Sequence, residues 1–260
     1  MPAQALSGGV ANLGRVFRVG DTVRRPLAPH AEARHALLAH LEQVGFDGAP
    51  RVLSSASDGE VLSWIPGSAG YTPLPGWALT DESMISVARL VRGLHDAVAT
   101  FDGSSFDWPD DRVPRAYRTG MVSHNDLHPG NVVYRDGQAV GVLDFDLAGP
   151  GGIVWDLAAL ARCWCPLLAD EDVPDYVRER RVERFVLLLD AYGLQGDERI
   201  AVARALLANQ VWTYRIVTAN AAAGHEGFQG FWHLVRGRVL RGHSWISEHQ
   251  GELIGAVSSR

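Results

Sequence analysis

The chain has 260 residues, 47% of them hydrophobic and 21% charged, with a formal net charge of −6. That balance suits one large domain or two lobes sharing a cleft, and it excludes a disordered chain. It also argues against a nucleic-acid binder, which needs a basic face, while staying compatible with a cationic partner. The chain contains no lysine, so all 24 basic side chains are arginines, and no lysine can serve as nucleophile, Schiff base or phosphate clamp. Its two cysteines, Cys163 and Cys165, flank Trp164. Such a C-x-C pair completes no zinc site and suggests no disulfide framework; it reads as two small apolar residues on a buried helix. Met1 to Leu6 lacks a basic stretch followed by an apolar run, and apolar runs elsewhere are interrupted by charges. A cytoplasmic protein with no membrane span is the expectation.

In chain order, Gly14–Val19 and Thr22–Leu27 read as short strands joined at Gly20-Asp21. Ala31–Val44 has Leu37, Leu38, Leu41 and Val44 on one helical face and stops at Gly45. Arg51–Leu53 and Glu60–Ile65 supply two further strands, and a Gly/Pro-rich loop runs from Pro66 to Gly76. A lobe boundary is placed there, with residues 1–66 on one side and 67–260 on the other. Thr80 or Asp81 caps a helix to about Thr100. A turn-rich stretch follows to Pro114, then a strand-loop-strand segment over Met121–Asp146. Helices are expected near Ile153–Cys165, Asp175–Tyr192, Glu198–Ala222 and Gly230–Ile254.

The segment Ser123-His124-Asn125-Asp126-Leu127-His128-Pro129-Gly130-Asn131, followed by Leu143-Asp144-Phe145-Asp146, gathers polar groups between apolar strands. Val132–Tyr134 and Val140–Leu143 should pair around Asp136-Gly137. The hairpin then carries Asn131 beside Asp144, an amide oxygen and a carboxylate suited to Mg²⁺, which keeps several waters and takes other ligands from phosphate. Asp126, on the preceding loop, could meet a hydroxyl delivered near that metal. The spacing is that of the kinase catalytic loop, H-x-D-L-x-x-x-N, followed by a metal-binding Asp.

These residues, with Leu143-Asp144-Phe145-Asp146-Leu147-Ala148-Gly149 and Trp155-Asp156-Leu157-Ala158, resemble the aminoglycoside phosphotransferase family. Members carry H-G-D-x-H-x-x-N and then [I/L]-D-[W/F]-x-x-A-G. The resemblance implies an α+β, bilobal kinase-like fold: a small antiparallel-sheet N-lobe that binds nucleotide and a mainly helical catalytic C-lobe. It implies Asp126 as catalytic base, Asn131 and Asp144 as Mg²⁺ ligands, and ATP or GTP as phosphate donor. His124 would support the loop, and Asp146 would be an additional metal or supporting group. Asn125 replaces the usual Gly and is a candidate substrate contact; Asp156 is read as a helix cap or loop anchor, and His128 as a loop-ordering residue.

In the N-lobe, Gly8 and Gly9 are candidates for a phosphate-covering loop. Arg24 is chosen over Arg25 for the place of the phosphate-clamping lysine, with Glu32 as its candidate helix partner, although the leucine spacing sets Arg34 nearer the expected position. Ser63 and Ile65 flank Trp64 in a segment resembling the purine-reading hinge. Only ten residues separate Asp144 from Trp155, too few for a peptide-docking activation segment, so a small-molecule acceptor is expected. Asp170, Glu171 and Asp172 form a candidate acidic rim for an amine-bearing ligand. The leading expectation is antibiotic phosphorylation, with aminoglycosides first and macrolides, nucleoside antibiotics, choline or homoserine open. Other readings are a kinase-like binding module without transfer and, third, a metallohydrolase built on His124, Asp126, His128, Asp144 and Asp146.

Overall fold

Five short strands begin the fold and bind one helix, in a computed structural model that describes residues 2–6, 12, 14–70, 75–108 and 113–258. They are β1 (Gln4–Ala5), β2 (Phe17–Val19), β3 (Thr22–Arg25), then after the helix α1 (Ala31–Gln43), β4 (Val52–Ala56) and β5 (Gly59–Ser63). All neighbours are antiparallel, in the order β1-β2-β3-β5-β4. In the β3–β5 register Val23 faces Leu62 and Arg25 faces Glu60. Opposed residues share a sheet face, so Val23 and Arg25 point one way and Arg24 the other. α1 buries Ala33, Leu37, Leu38 and Leu41, and Arg34 with them, whereas Val44 at its end is exposed. The helix stops at Gly45, whose φ of 81° suits a left-handed cap.

The strand β6 (Ser68–Ala69) already pairs with the second half of the molecule. α2 (Asp81–Val98) follows, capped by Thr80, whose hydroxyl accepts from Ser83 N at 3.2 Å. β7 (Met121–Ser123) leads into the polar loop, and β8 (Val132–Arg135) and β9 (Gln138–Val142) form the expected hairpin around Asp136-Gly137. β10 (Gly149–Gly151) returns to pair with β7. The rest is helical: α3 (Ile153–Trp164), α4 (Asp175–Arg178), α5 (Arg181–Tyr192), α6 (Asp197–Ala222) and α7 (Glu226–Ser258). The single helix expected over Asp175–Tyr192 is thus two, and the last helix is longer at both ends than its apolar spacing suggested.

Apolar faces of α2, α3, α5 and α6 meet in one core that includes Val87, Val91, Leu94, Leu157, Leu160, Phe185, Leu188 and Leu206, all 0–1% exposed. Leu127 from the polar loop and Phe145 from the segment after β9 plug into the same core. The loop is therefore fixed from beneath, with His124, Asn125 and Asn131 buried and Asp126 and His128 left reachable from outside. Among the described residues no helix is long and apolar enough to cross a membrane.

Candidate active site

Two apolar plugs, Leu127 and Phe145, and one buried acid position the loop. Asp156, fully buried near the start of α3, accepts from His124 N at 3.0 Å and Asn125 N at 2.8 Å. It also pairs with His95 Nε2 at 3.1 Å, and His95 Nδ1 meets the Tyr192 hydroxyl at 2.8 Å. One carboxylate thereby satisfies two loop amides that burial would otherwise strand. It is a loop anchor.

His124 lies 2% exposed against the Phe145 ring at 4.7 Å. Its Nε2 donates to Leu143 O at 2.9 Å and its Nδ1 accepts from Asp126 N at 3.2 Å. Burial pushes its pKa below the ordinary value, against the Asp156 and Asp126 charges. The ring is accordingly a neutral tautomer tying the loop to β9's end, and it has no nitrogen left for a metal. Asn125 adopts φ 64°, a left-handed conformation that Gly takes freely and Asn tolerates. That backbone requirement explains the Gly in the family motif. Asn125 is 2% exposed, and its Nδ2 donates to Leu147 O and Gly149 O at 3.0 and 3.3 Å. It contacts the protein, not an open pocket, which corrects its reading as a substrate group.

The hairpin brings the next two donors together as the pairing required. Leu143 N donates to Asn131 O at 2.7 Å, so Asn131 and Asp144 emerge side by side. Asn131 donates through Nδ2 to Asp126 O and Oδ2 at 3.0 and 3.1 Å, which turns its own Oδ1 away from Asp126. His128 orders the turn by accepting from Gly130 N at 3.1 Å, and its Nε2 lies 3.7 Å from Asp126 Oδ2. Asp144 sits at φ 61°, also left-handed. Burial first, then the neighbouring Asp146 and Asp126 charges, push its carboxyl up to about 6, against the pull of Arg25. Carboxylates crowded beside an amide oxygen form a set that a hard divalent cation fits, with two protein ligands and the rest water or phosphate.

The cation facing these acids is Arg25, not Arg24. Arg25 Nη1 lies 3.2 Å from Asp144 Oδ1, and Nη2 lies 2.5 Å from Asp146 Oδ1. Its Nε donates to Glu60 Oε1 at 2.6 Å across the β3–β5 pair. Arg24 is exposed on the opposite face. Glu32 is likewise exposed on α1 and meets none of these groups. Its expected place as the acidic partner falls to Glu60, whose side chain is fully buried. Arg34 Nη2 holds Glu60 at 3.0 and 3.1 Å, Arg34 Nη1 lies 3.2 Å from Asp146, and His35 Nε2 reaches Glu60 at 2.5 Å. Burial alone would raise the Glu60 carboxyl, but Arg25, the His35 hydrogen bond and Arg34 hold it below its ordinary value. The helix thus contributes a cation where an acid was expected, and the acid comes from the sheet.

Of the hinge residues, Ser63 Oγ accepts from Arg51 N at 2.8 Å and Trp64 N donates to Asp21 O at 2.9 Å. Ile65 covers Gly141, where a Cβ would approach within 2.8 Å. Gly8 and Gly9 lie outside the described residues. The acidic run is spent internally: Asp170 meets Arg181 at 2.5 Å, and Glu171 and Asp172 meet Arg241 at 2.8 and 2.6 Å. It straps a turn to α5 and α7, and two guanidiniums stand against its three carboxylates, so most of its charge is met within the protein. Among the described residues no three His, Cys, Asp or Glu side chains form a metal cluster, as the hydrolase reading required.

This architecture is a kinase-like fold. It superposes on a choline/ethanolamine kinase family protein from Mesorhizobium loti with a TM-score of 0.65, covering 100% of this chain and 93% of that one at 18% identity. Residues 98–189 match the phosphotransferase enzyme family. Over 256 residues the chain is 30% identical to the trifolitoxin immunity protein of Rhizobium leguminosarum bv. trifolii, covering 94% of this chain and 95% of the relative. Over 150 residues it is 30% identical to homoserine kinase of Xanthobacter autotrophicus, covering 57% and 40%. The chain belongs to the phosphotransferase enzyme family, the aminoglycoside phosphotransferase group that its loop motif resembles, and is a small-molecule kinase.

Proposed function

We propose that the protein transfers a phosphate from ATP or GTP, with Mg²⁺, to a hydroxyl of a small-molecule antibiotic. The observation that carries this is the convergence of Asp126, Asn131 and Asp144 at one end of the β8–β9 hairpin, with Arg25 facing them. Asp126 orients the acceptor hydroxyl and takes its proton. Asn131 Oδ1 and Asp144 hold Mg²⁺, which when bound neutralises phosphate charge. Arg25 turns from the two carboxylates to phosphate oxygens; a guanidinium forks onto phosphate as it does onto carboxylate. Asp146 and Glu60 steer Arg25, and His124 steers Asp126. Residues 1–66 form the nucleotide lobe and 67–260 the catalytic and acceptor lobe. Support for that boundary comes from β6, which starts at Ser68 and already pairs with β8. Ser63 to Ile65 lie at the junction as the purine-facing hinge.

Support for the antibiotic class comes from the nearly full-length likeness to an immunity protein, and support for a cytoplasmic site from the nucleotide such a reaction would consume. The aminoglycoside preference comes from the family resemblance, and the acidic run, paired with Arg181 and Arg241, adds little to it. A metabolite kinase is the second reading, favoured by the homoserine kinase likeness in the part of the chain that includes the catalytic loop. The test is a screen of acceptors with ATP and GTP, followed by mass. Gain of one phosphate on an acceptor, abolished by chelator, is expected. Nucleotide binding without transfer to any acceptor would favour the binding-module reading instead.

A further inference from the structure

Near the catalytic loop the helices present arginines that have no carboxylate partner among the described residues. Arg162 on α3 is half-buried, with Nε donating to Asn209 Oδ1 at 2.9 Å and Nη2 to Thr213 Oγ1 at 3.0 Å. The Tyr214 hydroxyl is also within its hydrogen-bonding reach. Asn209 is itself fully buried and donates to Trp155 O at 3.3 Å, so the guanidinium is held from a rigid base. All three neighbours are neutral. By contrast Arg34, Arg181, Arg184 and Arg199, which are buried more deeply, each hold a carboxylate. Arg238 on α7 is exposed, and among the described residues it has no hydrogen-bond or ion-pair partner.

Cys163 links these groups to the catalytic loop. Its thiol lies within electrostatic range of Asp126, Arg162 and Arg238. Tyr214 is in range of the same two arginines, and its ring packs on Trp232 at 5.9 Å, joining α6 to α7. A guanidinium fixed by neutral acceptors in a half-buried setting keeps its full charge, and the group that best satisfies it is an oxyanion.

We propose that Arg162, with Arg238 beside it, binds an oxyanion on the acceptor, a carboxylate or a phosphate, so that the substrate is an acidic small molecule and not a polyamine. This rests on the phosphotransferase reading above and narrows its acceptor. The test uses the full chain, ATP and Mg²⁺ with matched acceptors: homoserine against its methyl ester, a sugar phosphate against the parent sugar, and an aminoglycoside. The anionic member of at least one pair should be preferred in kcat/KM by about 10- to 100-fold, the worth of a charge-assisted contact. Arg162→Gln should bring that ratio toward one, and Arg162→Lys should retain part of it. Because Arg162→Gln strands buried Asn209, Arg238→Gln at an exposed site gives the same direction without risk to folding.

Equal rates within both pairs, or preference for the aminoglycoside, overturn the anion site and leave the phosphotransferase reading standing. Binding of the same acids without nucleotide, followed by tryptophan fluorescence, isolates the other failure. Acids that bind better than their uncharged partners, lose that advantage in Arg162→Gln and yet gain no phosphate keep the anion site and end the phosphotransferase reading. Acids that neither bind nor react overturn the anion site.

Discussion

Asp126 is held by its own loop: Asn131 donates to its carboxylate and carbonyl, and the neutral His124 ring accepts a hydrogen bond from its amide N–H. On the proposed reading, replacing it with Ala removes the base while leaving the groups that would face the phosphates. Asp126→Ala should lower turnover about 100- to 10,000-fold, the usual range for a positioned base, with nucleotide affinity nearly unchanged by calorimetry. Loss of both together would mean that the residue binds the donor instead. Glu60 supports a different expectation. Folding holds its carboxyl below the ordinary value of 4.5, so the unfolded chain binds the proton more readily. The stability this contributes is complete above that value and is lost as pH falls through the lower, folded-state value. Glu60→Gln should therefore flatten the acid limb of a stability profile measured by urea unfolding between about pH 5 and 3. At neutral pH it should cost about 3–5 kcal/mol, because Arg25 and Arg34 lose a buried partner.

The elements carry the loop, and α3 carries most of it through Asp156. That carboxylate joins the backbone of the catalytic loop to His95 on α2 and, through it, to Tyr192 on α5. Asp156→Ala leaves two loop amides and a histidine without their acceptor in a site that water cannot reach, so a loss of several kcal/mol is expected. A drop in thermal midpoint together with a fall in turnover, at unchanged exposure of Asp126 to nucleotide, is the predicted signature. Much of this level was legible beforehand. The hairpin and the Asn131–Asp144 juxtaposition follow from strand pairing and local spacing, the D-L-A helix start follows from the family resemblance, and all lie within one stretch of chain. What escaped was long-range or depended on parity. Arg25 was legible in principle, since Val23 is the inward apolar residue of that strand and period two carries the inward face to residue 25, not 24. Glu60 was not, because its partners come from β3 and α1 and only the sheet register brings them together. The internal pairing of the acidic run was hidden for a related reason: Arg181 and Arg241, which hold it, lie 11 and 69 residues away.

At the scale of the whole molecule the two halves meet through charge. Arg25 from the sheet and Arg34 from α1 reach Asp144 and Asp146 beyond the hairpin. On the proposed reading nucleotide with Mg²⁺ binds at that junction, so it should stabilise the folded chain by mass action, about 2.7 kcal/mol at a free concentration of 100 times Kd. Unfolding followed by tryptophan fluorescence should show that gain in the parent protein and in Asp126→Ala, which keeps every phosphate-facing group. Arg25→Ala should lose most of it, and chelation of the metal should do the same in the parent. Arg24→Ala should retain it, because that side chain faces away from the junction. If Arg24→Ala and Arg25→Ala behaved alike, the face assigned by the β3–β5 register would not be the one that meets the nucleotide, and the electrostatic bridge between the halves would need another cation.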